Sequence, residues 1–182
     1  MARNPGKIGS LRARAAMTEQ HYFAYGSNLS SLRLLARIRS AEALTTARLH
    51  AHRLEFHMPS RDGSAKCDVR FTGASEDYVW GVVYRIDPAE REILDGYEGL
   101  GDSYGAKVVA LATEQGQEIE AFTYYALRTG ARVPPYCWYR QHVLLGAREH
   151  RLPLDYIDRL EATVYMADQD LQRRSAELSI YR

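Results

Sequence analysis

Apolar and polar positions change period several times along the chain, and each change marks an element. HYFAYGSNLSS, residues 21–31, opens with aromatic and small residues that suit a short strand buried on both faces. Gly26 gives a turn that a residue with a Cβ would resist, and Ser30 or Ser31 caps a helix that LRLLARIR (32–39) continues. A strand feeding a glycine turn and a helix start leaves N–H groups without partners, a setting in which an anion can sit. The same pattern is also that of a plain strand–turn–helix junction, with Ser27 and Asn28 as turn residues.

Beyond it the pattern turns to strands. AEALTTARLHAHRLEF (41–56) reads as one or two, with His50, His52, Leu54 and Phe56 on one face by period-two spacing and His57 on the other. PSRDGSAKCD (59–68) reads as a polar loop, and CDVRFTGA and DYVWGVVYRI (77–86) as strands. VWGVVY is apolar enough for a central strand buried on both faces. In DPAEREILDGYEG, Asp87 is a helix cap, Pro88 takes the first helical position, Glu90 completes a capping box and Gly99 stops the helix. Glu90, Leu94 and Glu98 lie four apart on one stripe. Leu94 and Ile93 are expected to face the core and draw Glu98 inward at the last turn, where burial and the helix dipole both disfavour a charged carboxylate. That setting suits proton transfer, although a glutamate at a helix end is usually a solvated surface group. AKVVALATEQGQEIEAFTYYALR (106–128) is a hairpin turning near Gln115–Gly116, with Tyr124 and Tyr125 on opposite faces. PPYCWYRQHVLLGAREH (134–150) and LPLDYIDRLEATV (152–164) read as helices, and the polar end after Met166 as a loose helical tail.

A length of 182 residues fits one domain, divided here into a leader (1–19), a folded body (20–165) and a tail (166–182). The formal charge of +1 argues against a nucleic-acid or membrane partner, and no apolar run approaches a membrane span. The two cysteines, Cys67 and Cys137, form no CxxC pair, which points to a reduced, cytoplasmic setting. The histidine pair lacks a third ligand at a recognisable spacing, so no metal is expected. Residues 1–16 carry Arg3, Lys7, Arg12 and Arg14 and no acid. A basic arm or transit peptide is the functional alternative, but the stretch is short and lacks an amphipathic period. A disordered tail is therefore expected, with Met17 an alternative start. Tyrosine is the one skewed count, 13 against four phenylalanines, and buried tyrosines need hydroxyl partners, as a polar cavity would offer.

Two stretches sixty-odd residues apart then point the same way. YFAYGSNL and LDGYEG together resemble the substrate loop and the glutamate segment of the γ-glutamylcyclotransferase family. The resemblance runs on through VWGVVY, SYGAKVV, EAFTYYAL, PPYCWY and GAREHRLPLDY, from Tyr22 to Leu160. It implies an α+β fold, a small mixed-strand β-barrel flanked by helices, and release of 5-oxoproline from γ-glutamyl compounds. It further implies that Tyr25, Gly26, Ser27 and Asn28 receive the substrate's α-carboxylate, largely through backbone N–H groups, and that Glu98 is the catalytic acid–base. Tyr104, Tyr124 and Tyr139 would be cavity walls and hydroxyl donors, with Tyr22 and Tyr136 left to core packing. The partner implied is a small γ-glutamyl molecule; no cofactor is implied, and a homodimer is allowed. The chain departs from the family pattern at Gly96–Tyr97, before the glutamate, and in the LGDS loop after it. Those residues flank the leaving group, so its identity stays open. A γ-glutamyl-removing enzyme of a biosynthetic pathway would keep the same parts, and a barrel that binds a small acid without turning it over is a third reading.

Overall fold

In the computed structural model, which describes residues 19–182, seven strands are formed. They are β1 (Gln20–Ala24), β2 (Glu42–His50), β3 (His52–Pro59), β4 (Ala65–Phe71), β5 (Tyr78–Ile86), β6 (Tyr104–Thr113) and β7 (Glu118–Ala126). The expected disordered leader, residues 1–16, lies outside the described residues. Five strands close into a barrel in the order β1-β5-β2-β6-β7, and β3 and β4 form a separate antiparallel pair. The closing contact, Tyr22 against Phe122 between β1 and β7, is parallel; the other barrel pairings are antiparallel. The mixed barrel is thus as expected. VWGVVY is its buried middle, with Val83 opposite Phe23 on one side and Gly81 opposite Ala47 on the other.

The strand after β2 is where the sequence reading fails. β2 ends at His50, Ala51 turns with a φ of 58°, and His52 begins β3 in the other sheet. The expected common face for His50 and His52 does not exist. His52 is buried, bonded through its ring to the His50 carbonyl at 2.7 Å and to Lys107 at 2.9 Å. The polar loop is also shorter than expected, since β4 already starts at Ala65.

Among the described residues five α-helices surround the barrel: α1 (Ser31–Leu35), α2 (Arg91–Glu98), α3 (Cys137–Glu149), α4 (Leu154–Glu161) and α5 (Leu171–Leu178). Ser30 caps α1 by accepting from the Arg33 N–H at 3.5 Å. That helix stops after five residues instead of running to Arg39, because the chain turns at Ala36 and buries Ile38 completely. Asp87 caps the 3₁₀ turn Pro88–Glu90 before α2, accepting from the Ala89 N–H at 2.8 Å. The expected capping box does not form. Glu90 accepts instead from the N–H groups of Arg39 and Ser40, which pins the start of α2 to the segment after α1. Leu94 is fully buried and Ile93 is 49% exposed, so Leu94 alone anchors this stripe. Gly99 ends α2 in the left-handed conformation, φ 65°, as a C-terminal glycine should.

The C-terminal segment is docked, not loose. Trp138 Nε1 donates to Asp168 at 2.7 Å, Arg33 to Glu177 at 2.7 Å, and Tyr181 meets His142 at 2.7 Å. Among the described residues no helix is long and apolar enough to cross a membrane.

Candidate active site

A small, partly open cavity lies where β1 hands over to the helices. Its wall contains all eight residues singled out from the sequence: Tyr25, Gly26, Ser27, Asn28, Glu98, Tyr104, Tyr124 and Tyr139. Residues 73 positions apart between Tyr25 and Glu98 meet because β1 and the end of α2 abut the same opening.

The loop after β1 is a single 3₁₀ turn, Ser27–Leu29, closed by the Leu29 N–H on the Gly26 carbonyl at 3.0 Å. Gly26 has a φ of −106°, so the turn does not need glycine's left-handed freedom. The reason for glycine is space: a Cβ there would sit 3.2 Å from Cys67 Cβ. The loop is held from outside. Tyr84 donates to the Leu29 carbonyl at 2.9 Å, the Ser31 N–H donates to Glu149 at 3.1 Å, and Gly146 of α3 lies directly against Leu29 and Ser30. The N–H groups of Gly26, Ser27 and Asn28 have no acceptor among the described residues. Three unsatisfied donors on one cavity wall are the kind of group an anion accepts from.

Glu98 lies at the last turn of α2, its side chain 16% exposed. Oε1 accepts from Asn28 Nδ2 at 2.9 Å and from Arg37 Nη1 at 2.9 Å, while Oε2 has no partner among the described residues. One carboxylate oxygen is thus fixed and the other is free to exchange a proton. Asn28 Nδ2 also donates to the Tyr22 hydroxyl at 3.1 Å, which leaves its buried Oδ1 without a partner. Facing the nitrogen toward the Glu98 carboxylate is the only sensible orientation of this amide, since an oxygen there would repel it. The helix-end argument had Glu98 in a one-sidedly unfavourable setting; Arg37, invisible to it, supplies a cation against the same oxygen.

The tyrosines wall the cavity, but most of their hydroxyls are already committed. Tyr25 donates to the Tyr124 carbonyl at 2.7 Å, Tyr104 to the Cys67 carbonyl at 2.6 Å, and Tyr124 to Asp95 at 2.5 Å. Tyr139 accepts from the Cys67 N–H at 3.1 Å. Burial raises the pKa of all four, and of Tyr22 with added help from the Glu98 charge, so these phenols remain neutral near pH 7. Burial likewise pushes the Cys67 thiol up to about 12, far from the thiolate a nucleophile requires. Among the described residues Glu98 is left as the one carboxyl group on the wall.

Three residues escaped the sequence reading. Tyr22 packs in the core as expected, stacked on Phe122, and in addition lines the cavity with its hydroxyl on the Asn28 amide. Cys67 lines it from β4, and Arg37 pairs with Glu98 across 61 positions. No local pattern marks any of them as site residues: Cys67 comes from the separate β3–β4 pair, Arg37 from the segment after α1, and Tyr22 from β1 through its contact with Asn28. Tyr136 stays outside, donating to the Asp62 carbonyl at 3.2 Å.

A second, wider chamber of about 470 Å³ opens next to the first and shares Ser27, Glu98, Tyr104 and Tyr139 with it. Its lining includes Gly96, Tyr97, Leu100, Asp102 and Ser103, from the two stretches that depart from the family pattern on either side of the glutamate. A Cβ at Gly96 would meet nothing within 4 Å, and Tyr97 is 56% exposed with the Arg37 guanidinium 5.2 Å from its ring centre.

Comparison with known proteins agrees with this geometry. Residues 78–160 match the AIG2-like family. The chain is 33% identical over 149 residues to the γ-glutamylcyclotransferase of Homo sapiens, covering 78% of this chain and 77% of that one. The Bos taurus γ-glutamylcyclotransferase gives 33% over 145 residues, with the same coverage. A solved γ-glutamyl cyclotransferase structure superposes with a TM-score of 0.76 at 28% identity, spanning 85% of this chain and 96% of that one. Sequence, barrel and cavity therefore agree, and the chain belongs to the γ-glutamylcyclotransferase family as an enzyme of that type.

Proposed function

We propose that the chain releases 5-oxoproline from γ-glutamyl compounds, with Glu98 as its acid–base and the Gly26–Asn28 loop as the seat of the substrate's α-carboxylate. The observation that carries this is the state of Glu98. It is the single carboxyl group on a cavity walled by neutral tyrosines, with one oxygen clamped and the other open.

The α-carboxylate bonds to the unsatisfied N–H groups of Gly26, Ser27 and Asn28, which solvate it without an arginine. So held, the γ-glutamyl chain curls until its α-nitrogen faces its own γ-carbonyl carbon. Uniting nucleophile and electrophile in one molecule can supply up to ~7–11 kcal/mol of the barrier. Glu98 Oε2 takes a proton from the α-ammonium, and the freed amine attacks the carbonyl carbon. The C–N bond to the leaving group then breaks, and the protonated Glu98 returns its proton to the leaving nitrogen. The ring nitrogen then gives its surplus proton to the regenerated carboxylate, which passes it to the departing amine, so the products are the five-membered lactam and the amine as its ammonium ion, with the carboxylate restored. The neutral phenols narrow the space and keep water from the carbonyl. The two cysteines, both free, fit work in a reducing cytosol.

The test is a panel of γ-glutamyl amino acids, γ-glutamyl amines and glutathione, with 5-oxoproline followed by chromatography. At least one class should yield 5-oxoproline and free amine in equal amounts. A substrate amidated at its α-carboxylate should react poorly, since the cradle offers donors and no acceptor for the new N–H₂. Normal turnover of that analogue would remove the anion site from the loop; no 5-oxoproline from any member would remove the activity.

A further inference from the structure

Glu98 stands at the end of a short helix, yet its carboxylate must meet a substrate seated by a different element. Leu94 is the only buried side chain among the described residues of α2. It sets the depth of the helix without fixing its rotation or its slide. Two carboxylates do that. Glu90 holds the start through the N–H groups of Arg39 and Ser40. Asp95, one turn before Glu98, holds the end.

Asp95 lines neither chamber. Its Oδ1 accepts from the Tyr124 hydroxyl at 2.5 Å and from Arg91 Nε at 2.9 Å. Its carbonyl accepts the Leu100 N–H at 3.0 Å, closing the helix just past Glu98. Tyr124 is 2% exposed, and its own carbonyl accepts from the hydroxyl of Tyr25, at the head of the substrate loop, at 2.7 Å. One residue of β7 is therefore bonded to both halves of the site, to the loop through its carbonyl and to the helix through its phenol. Burial, and after it the bond to Asp95, raise the Tyr124 pKa, so the proton stays on the phenol and the carboxylate remains the acceptor. A hydroxyl-to-carboxylate bond is roughly twice as strong as a neutral one, which makes this a stiff link. Arg91 has other anchors as well: its guanidinium lies 3.5 Å from the Phe122 ring centre, and Nη1 lies 3.4 Å from Gln20 Oε1.

We propose that Asp95 is a positioning residue for the reaction, which through Tyr124 fixes where Glu98 stands relative to the substrate loop. The inference rests on Glu98 as the acid–base given above and goes beyond it by naming what aims that group. Asp95 lies outside the cavity and takes no part in the proton transfer. Losing its bond to Tyr124 lets Glu98 drift from the nitrogen it must serve, while the seat of the α-carboxylate is kept. The effect belongs in kcat and not in KM.

Variants of the full chain test this with the best substrate of the panel above. Asp95→Ala should lower kcat about ten- to a hundredfold, with KM within about threefold of wild type. Asp95→Asn, whose amide oxygen can still accept from Tyr124, should recover most of that loss. Tyr124→Phe should match Asp95→Ala, and the double variant should fall no further than the worse single, because both remove one bond. Arg91→Met leaves the Tyr124 bond in place, so it should lower Tm and keep kcat near wild type. A near wild-type kcat in folded Asp95→Ala or Tyr124→Phe protein would overturn the proposal. So would a double variant whose loss is the product of the two singles, or an Arg91→Met enzyme as slow as Asp95→Ala, the mark of a general loosening of the helix. If Asp95→Ala does not fold, only a slow Tyr124→Phe beside a near-normal Asp95→Asn supports the proposal, and any other pair overturns it. A wild type that makes no 5-oxoproline, or a fully active Glu98→Gln protein, is a different failure, that of the reading on which this one rests.

Discussion

The seating of the substrate loop on α3 can be probed with one methyl group. A Cβ at Gly146 would lie 2.3 Å from the Ser30 nitrogen and 2.4 Å from the Leu29 carbonyl carbon. Both are backbone atoms, so neither can rotate away as a side chain would. Ordinary contact begins at 3.4 Å, which means Gly146→Ala must move the loop and the helix apart by about 1 Å. Overpacking of this kind costs about 1–3 kcal/mol, and the upper half is expected where backbone must give. For a chain of this size that corresponds to a fall in Tm of roughly 4–12 °C. The cost to turnover should be larger, because a misplacement of about 1 Å at a positioning element can cost on the order of a hundredfold. Gly96→Ala is the control for stability: its Cβ meets nothing within 4 Å and it lies within α2. It should hold or raise Tm, by up to about 1 kcal/mol of helix propensity. Thermal melting by circular dichroism and the 5-oxoproline assay give both readings. A Gly146→Ala protein as stable and active as wild type would show that α3 does not set the loop.

Three further outcomes follow from the site and its surroundings. Gly26→Val should reduce kcat/KM far more than Ser27→Ala, since its Cβ already stands 3.2 Å from Cys67 and two further methyl groups reach into the cavity; the serine change should cost roughly 0.5–1.5 kcal/mol, and equal loss would give Ser27 a chemical part. Arg37→Met, which leaves Glu98 Oε1 held by Asn28 alone, should lower kcat about ten- to a hundredfold with little change in KM, and an unchanged kcat would end the orienting part given to that pair. Acid should weaken the docking of the C-terminal segment: burial holds the His142 ring neutral with its pKa down at about 4, while in the unfolded chain it protonates near 6.5, so stability is complete above that pH and is lost as pH falls toward 4. Against burial, His142 and Arg33 hold Glu177 down to about 2, which extends the loss below pH 4.5. Between pH 7 and 5 the His142 part amounts to at most about 2 kcal/mol, so His142→Gln should show a flatter Tm against pH than wild type.

Most of the site was legible in the sequence because its chemistry is concentrated in two short stretches. YGSN and the glutamate of LDGYEG each keep their local geometry, a turn and a helix end, and those local signals survive folding. What failed was whatever depended on partners far along the chain. The LRLLARIR pattern looked like a longer helix because its apolar spacing continues to Ile38, yet Ile38 is buried by a turn and not by a helix face. His50 and His52 shared a face only as long as one strand was assumed, and a single left-handed residue, Ala51, sends them to different sheets. Glu90 fitted the capping-box spacing, but Arg39 and Ser40 offered its carboxylate two N–H groups instead. Ile93 fitted the helix stripe and faces solvent, since one leucine is enough to seat so short a helix. Arg37 joined the site through a contact 61 positions away and Tyr22 through its hydroxyl on the Asn28 amide, and no periodicity encodes either.

The central claim is that Glu98 carries the proton from the substrate's α-nitrogen to its leaving nitrogen. Glu98→Gln tests it most directly, because the amide keeps the side chain's size and still accepts from Asn28 and Arg37 through its oxygen, but has no site for the proton. Single-turnover formation of 5-oxoproline from the best substrate of the panel should fall by about a hundredfold or more, with Tm and substrate affinity close to wild type. A Glu98→Gln protein that is folded, binds substrate and forms 5-oxoproline at near wild-type rate would contradict the account.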